Sequence, residues 1–171
     1  MPFSLVAAQL QNNIEPTLRK LIRPRRLSRV ATRMPQALNR LVVARLLNKA
    51  FAEQVEDGDF DFLQQRQLQV EIKDAELFIG LSFNQGQLTC EHFSRRSQPA
   101  EATLSIDSAH AIQLVQQEVD PDTLFFQRQL KISGDTELAH QVKNTIDTLD
   151  PQQIPLIVRK PVNHYQRLVF I

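Results

Sequence analysis

The stretch DPDTLFFQRQLKISGDTELAHQVKN, residues 120–144, compresses two helix starts and a strand into one short segment. Asp120-Pro121-Asp122-Thr123 is turn chemistry leading into a helix, because an aspartate side chain satisfies the first free N–H groups and proline presets φ. Gln129 to Ser133 alternates, with Leu130 and Ile132 on one side, and reads as a strand. Gly134-Asp135 then turns the chain. Asp135 or Thr136 caps a last helix carrying Leu138, Val142, Ile146 and Leu149 at near-helical spacing. Between the first turn and the strand stand Leu124, Phe125 and Phe126, three bulky apolar residues with no catalytic-looking group beside them.

Upstream, PQALNRLVVARLLNKAFAEQV from Pro35 predicts a helix with an apolar face of Leu38, Leu41, Val42, Leu46, Ala50 and Phe51. EDGDFDFL ends it. The spaced aspartates Asp57, Asp59 and Asp61 hint at a calcium loop. Such a loop wants Gly at its sixth position and Glu at its twelfth, where this chain has Phe62 and Leu68, so a helix-terminating turn is the better reading. Period-two alternation then marks strands in QLQVEIK (Leu68, Val70, Ile72) and ELFIGLSFN (Leu77, Ile79, Leu81, Phe83). NQGQ around Gly86 turns into LTCEHFS, and ATLSID supplies a fourth strand with Ala102, Leu104 and Ile106. Gly80, inside a strand, marks a bulge or a close approach by another group. Asp107 or Ser108 caps the helix AHAIQLVQQEV. Consecutive strands followed by separated helices imply an α+β domain, a five-stranded sheet with helices layered on one face.

The organisation expected is therefore an N-terminal arm over 1–35, a domain over 36–150 and a tail over 151–171. Formal net charge is +1, but residues 1–49 hold ten basic groups and one acid, residues 50–150 hold seven and eighteen, and the tail adds three bases. Arg19, Lys20, Arg23, Arg25, Arg26, Arg29 and Arg33 interleave with aliphatic residues in a proline-broken amphipathic pattern. Such a basic arm meets an anionic surface, either membrane or nucleic acid, or packs on the acidic body of its own chain. No apolar run approaches the roughly 20 residues that cross a bilayer. The start MPFSLVAAQLQNN lacks a secretory pattern and Cys90 has no second cysteine to pair with, so a cytoplasmic protein is expected.

A search for chemistry finds little. His92, His110, His140 and His164 are isolated and form no metal spacing, Cys90 sits on a strand where packing explains it, and four glycines build no phosphate-cradling loop. No catalytic residue, metal or cofactor is expected. The surplus is aliphatic. It fills an ordinary core, or leaves the layer between sheet and helices partly open for an apolar ligand.

DPDTLFFQRQLKISGDTELAHQVKN resembles the signature of the sterol-carrier-protein-type lipid-binding domains, more narrowly the branch of ubiquinone biosynthesis accessory factors. EDGDFDFL, LQVEIKDAELFIGLSFNQGQL and PAEATLSIDSAHAIQLV support it, in family order from about residue 38 to 149. The arm and the tail after Pro155 match poorly. The resemblance implies a helix-covered sheet enclosing an apolar tunnel for a lipid or polyprenyl chain. It further implies a non-enzymatic role in oxygen-independent ubiquinone synthesis, beside the iron–sulfur hydroxylase pair UbiU and UbiV. The guests expected are isoprenoid quinone intermediates or phospholipid, with Leu77, Ile79, Leu81, Leu104, Phe125, Phe126, Leu130 and Ile132 as lining. The arm would then hold the protein peripherally at the inner membrane. The rival reading is a nucleic-acid-binding module built on the same arginines.

Overall fold

The computed structural model describes residues 23–150 and 152–154. Expectations that fall on Arg19, Lys20 and the apolar chain end lie outside the described residues. Helix α1 (Pro24–Ala31) opens with proline in its first turn, where the missing N–H is no loss. Helix α2 (Gln36–Ala50) ends at Phe51, and a one-turn continuation, α3 (Ala52–Glu56), follows. Next come β1 (Leu68–Ile72), β2 (Leu77–Asn84), β3 (Gln87–Ser94) and β4 (Ala102–Ile106). The chain then forms α4 (Ser108–Val115), α5 (Pro121–Phe126), β5 (Lys131–Gly134) and α6 (Thr136–Asp147).

The sheet has five strands in the order β3-β2-β1-β4-β5, antiparallel throughout except for the central β1–β4 pair. Strand period puts Leu68, Val70, Ile72, Leu104 and Ile106 on the helix side and leaves Gln69, Glu71, Thr103 and Ser105 on the other. The outer face is satisfied by polar pairs. Ser105 donates to Glu71 at 2.5 Å, and the amide of buried Gln69 reaches Ser97 at 3.0 Å and accepts from the Gln98 N–H at 2.9 Å.

Local signals behave as chemistry demands. Gln85 and Gly86 both have positive φ (52° and 73°), the requirement of a tight two-residue hairpin turn. Asp120 accepts from the Thr123 N–H at 2.7 Å and Asp135 from the Leu138 N–H at 3.0 Å, capping α5 and α6. At α4 the expected cap is corrected. Asp107 stands at the cap position without capping, and the free N–H of Ser108 goes instead to Asp74 at 2.8 Å, with the Ser108 hydroxyl at 2.6 Å. The fifth strand begins later than its alternation suggests, because the N–H groups of Gln129 and Leu130 both turn back to the Leu124 carbonyl.

Gly80 meets both readings of a strand glycine. The β2–β3 register shifts between Gly80 and Leu81, and the His92 ring lies where a Cβ would project. EDGDFDFL is a turn, with Gly58 at φ +80° and a short 3-10 segment, Asp61–Leu63, that buries Phe60 and Leu63. On α6, Leu138 and Val142 are buried, as their spacing requires, and so is Leu149 just past its end. On α2 only the later half of the expected face turns inward, through Leu46 and Ala50 and on to Phe51. Leu38, Leu41 and Val42 are exposed, while Asn39 is buried and donates to the Ala31 carbonyl at 2.9 Å, pinning α1 against α2.

Candidate functional site

Between the helix layer and the sheet lies a cavity of about 390 Å³. Its floor is the inner sheet face: Leu68, Val70 and Ile72 of β1, Ile79 and Leu81 of β2, Leu88 of β3, Leu104 and Ile106 of β4. Its roof is the underside of α2, through Val43, Leu46 and Leu47, continued by Ala111, Leu114 and Val115 of α4 and Val142 and Ile146 of α6. Phe51 and Phe60, whose rings meet edge to face at 5.4 Å, also line it. Helix α2 is fastened along the edge strand β3, where Asn48 pairs with both the carbonyl and the N–H of Leu88 and Arg40 donates to the Cys90 carbonyl.

The wall is almost without polar character. Lys143 is its one polar member among the described residues, and that ammonium is bound to Asp122, which projects to solvent. Only the Lys143 stem faces the cavity, as amphipathic side chains arrange themselves when head and chain need different surroundings. No water is held comfortably in such a space, since a buried water wants 2–4 polar partners. An apolar guest is what the surface is shaped to accept.

Of the residues expected to line a tunnel, Ile79, Leu81, Leu104 and Leu130 stand together in this wall. Leu77, Phe125, Phe126 and Ile132 do not. Ile132 packs against the core from the side. Phe125 turns to His140, ring centroids 5.7 Å apart, and Phe126 is 79% exposed. The reason is helical geometry: α5 has a single inward ridge, and Pro121 and Leu124, three apart, occupy it. Sequence reasoning counted Leu46 on the apolar face of α2 but missed Val43 and Leu47, and the signal was present, since the helix is apolar on two sides.

The titratable groups are engaged in structure. Burial pushes the Cys90 thiol up to about 11, leaving it protonated at neutral pH, and its Sγ lies 3.3 Å from the His92 carbonyl. Burial also lowers His92 below the ordinary imidazole value. Glu76 is held below the usual carboxylate range: partial desolvation pushes it up, but Arg95 and Arg25 together prevail. Arg66 is bound to Glu101 and Asp135, tying the start of β4 to the cap of α6. Among the described residues no cluster of three or more His, Cys, Asp or Glu is placed to hold a metal.

Outside the cavity, α1 and α2 present a second surface. Leu27, Val30, Met34, Leu38, Leu41 and Val42 are exposed there. Residues 23–50 carry eight basic groups and no acid. Two of the eight are paired, Arg25 with Glu76 and Arg40 with Glu91. Arg23, Arg26, Arg29 and Arg33 are exposed, whereas Arg25 serves to fasten α1 to the turn after β1, where the Ser28 hydroxyl also donates to the Ala75 carbonyl at 2.5 Å. No helix among the described residues is long and apolar enough to cross a membrane.

Comparison with known proteins places this geometry. The profile of the SCP-2 sterol transfer family matches residues 44–147. The "Ubiquinone biosynthesis accessory factor UbiT" of Escherichia coli K12 is 37% identical over 125 residues, spanning 73% of this chain and 70% of that protein; its counterpart from Escherichia coli O157:H7 matches to the same extent. Among solved structures, "UbiJ-SCP2 Ubiquinone synthesis protein" superposes with a TM-score of 0.52 at 20% identity, covering 67% of this chain and 93% of that one, which speaks for the fold alone.

Proposed function

Because the chain belongs to the SCP-2 sterol transfer family, we propose that it is a non-catalytic lipid-binding accessory factor of ubiquinone biosynthesis. In this reading it takes up polyprenyl-tailed ubiquinone intermediates, or phospholipid, and presents them to UbiU- and UbiV-type iron–sulfur hydroxylases of the oxygen-independent route. The observation that carries the reading is the cavity, about 390 Å³ of space whose one polar wall residue among the described residues has its charge neutralised outside. Each CH₂ moved from water into such a wall gains about 0.8 kcal/mol, so a hydrocarbon chain needs no polar anchor to be held. The pathway is suggested by the name of the relative, UbiT.

Binding rather than catalysis is supported by the state of the candidate reactive groups. Cys90 is protonated and buried, and His92 is packed over Gly80 rather than facing the cavity. Replacing Cys90, His92, His110 and His140 one at a time is expected to leave ubiquinone production intact in variants that fold. Loss of production in a stably folded variant would speak for an enzyme.

The α1–α2 surface is the proposed contact with the inner membrane. Arg23, Arg26, Arg29 and Arg33 would each gain about 1 kcal/mol near an anionic leaflet, and the exposed aliphatic side chains between them add burial. Those aliphatic side chains favour a membrane over a nucleic acid, since phosphate backbones reward arginine but not Leu38 or Val42. Solvent extraction of the purified protein followed by lipid analysis tests the reading. Quinone precursors or phospholipid in the extract are expected. A protein that is empty, and stays empty after incubation with vesicles containing a prenylated phenol, would refute it.

A further inference from the structure

The capacity of the cavity is limited, and a consequence follows that rests on the lipid-binding reading above. An apolar cavity of about 150 Å³ holds one benzene, so about 390 Å³ holds close to 16 carbon atoms. That is three isoprene units or one ordinary acyl chain. The polar head has no place inside, because among the described residues the one side-chain nitrogen in the wall is the Lys143 ammonium, already bound to Asp122. Phe51 and Phe60 stand in the wall in edge-to-face contact, and Phe83 stacks on Phe60 at 6.2 Å.

We propose that this protein shelters a single hydrocarbon segment of about 15 carbons with the polar head outside, so that a longer polyprenyl tail is only partly withdrawn and its remainder stays in the bilayer. Every methylene left in water weakens transfer out of the membrane roughly fourfold, which forbids a long unsheltered tail from leaving with the protein. For long-tailed guests the molecule is therefore a loading platform at the membrane and not a shuttle through water. Only guests near the cavity's own size travel with it.

The test uses the full chain and vesicles holding equal amounts of prenyl alcohols of 10, 15, 20 and 45 carbons, sedimented after incubation, with the lipid left in the soluble protein fraction quantified. The 15-carbon alcohol is expected to dominate, with the 45-carbon alcohol at least tenfold below it. Equal or greater uptake of the 45-carbon alcohol would overturn the proposal, as it would mean that the roof lifts to enclose a whole tail. Uptake of none of the four would instead refute the lipid-binding reading itself. Ala111→Phe fills part of the cavity from α4 and is expected to move the optimum to 10 carbons; Val43→Phe does the same from α2 should the first variant fail to fold. An optimum that stays at 15 carbons in a folded variant of either kind would place the bound chain elsewhere and overturn the proposal.

Discussion

Gly80 and His92 share one spot on the sheet, and the pair makes two residue-scale predictions. A Cβ at position 80 would run into the imidazole ring, so Gly80→Ala is expected to cost about 1–3 kcal/mol in urea unfolding. Most of that is expected back in the double variant with His92→Ala, and no recovery would contradict the packing. His92 also sets a pH limb. Its folded-state pKa is lowered by burial, so between that value and about 6.5 the unfolded chain binds more protons and stability rises with pH. Stability should therefore decline as pH falls below about 6.5, and His92→Asn should flatten that decline. Phe126 shows what single residues conceal. Its bulk makes a cavity wall the natural expectation, but on the one-and-a-half turns of α5 only Pro121 and Leu124 point inward, and six residues carry too little periodicity to reveal it.

At the scale of elements, strands were more legible than helices. A period of two admits only two faces, and in β1 and β4 one of them is polar; in β2 the face opposite Ile79 and Leu81 carries Phe78 and Gly80 beside Ser82 and Asn84, so alternation grouped the residues without stating which face looks inward. Helix α2 resisted because it is apolar on both sides: Leu38, Leu41 and Val42 outside, Val43, Leu46 and Leu47 within. Its two sides should respond differently. Leu41→Ser with Val42→Ser is expected to leave the unfolding midpoint almost unmoved, as surface changes do, while weakening retention on anionic vesicles. Leu138→Ala, in the fully buried face of α6, is expected to cost about 2–5 kcal/mol. The Lys143–Asp122 pair offers a third contrast on the same helix. Lys143→Met removes charge and desolvation cost together and should be nearly neutral, whereas Asp122→Ala strands a buried ammonium and should destabilise more. A larger loss in the methionine variant would contradict that assignment.

For the whole molecule, the uneven distribution of charge and the hollow interior belong to one design. Basic groups crowd α1 and α2, acids dominate the body, and α2 separates an exposed aliphatic surface from the cavity beneath it. A guest leaving an anionic bilayer would meet the basic, aliphatic surface first and the apolar interior on the far side of the same helix. The overall arrangement of sheet and helices followed from hydrophobic pattern and turn chemistry. The hollow did not, because periodicity states which face is apolar and is silent on whether two apolar faces touch. Native mass spectrometry of the intact protein, before and after incubation with vesicles carrying a prenylated phenol, tests the central claim most directly. One apolar guest per chain is predicted, diminished in Ala111→Phe; a protein that remains bare in both conditions would contradict the account.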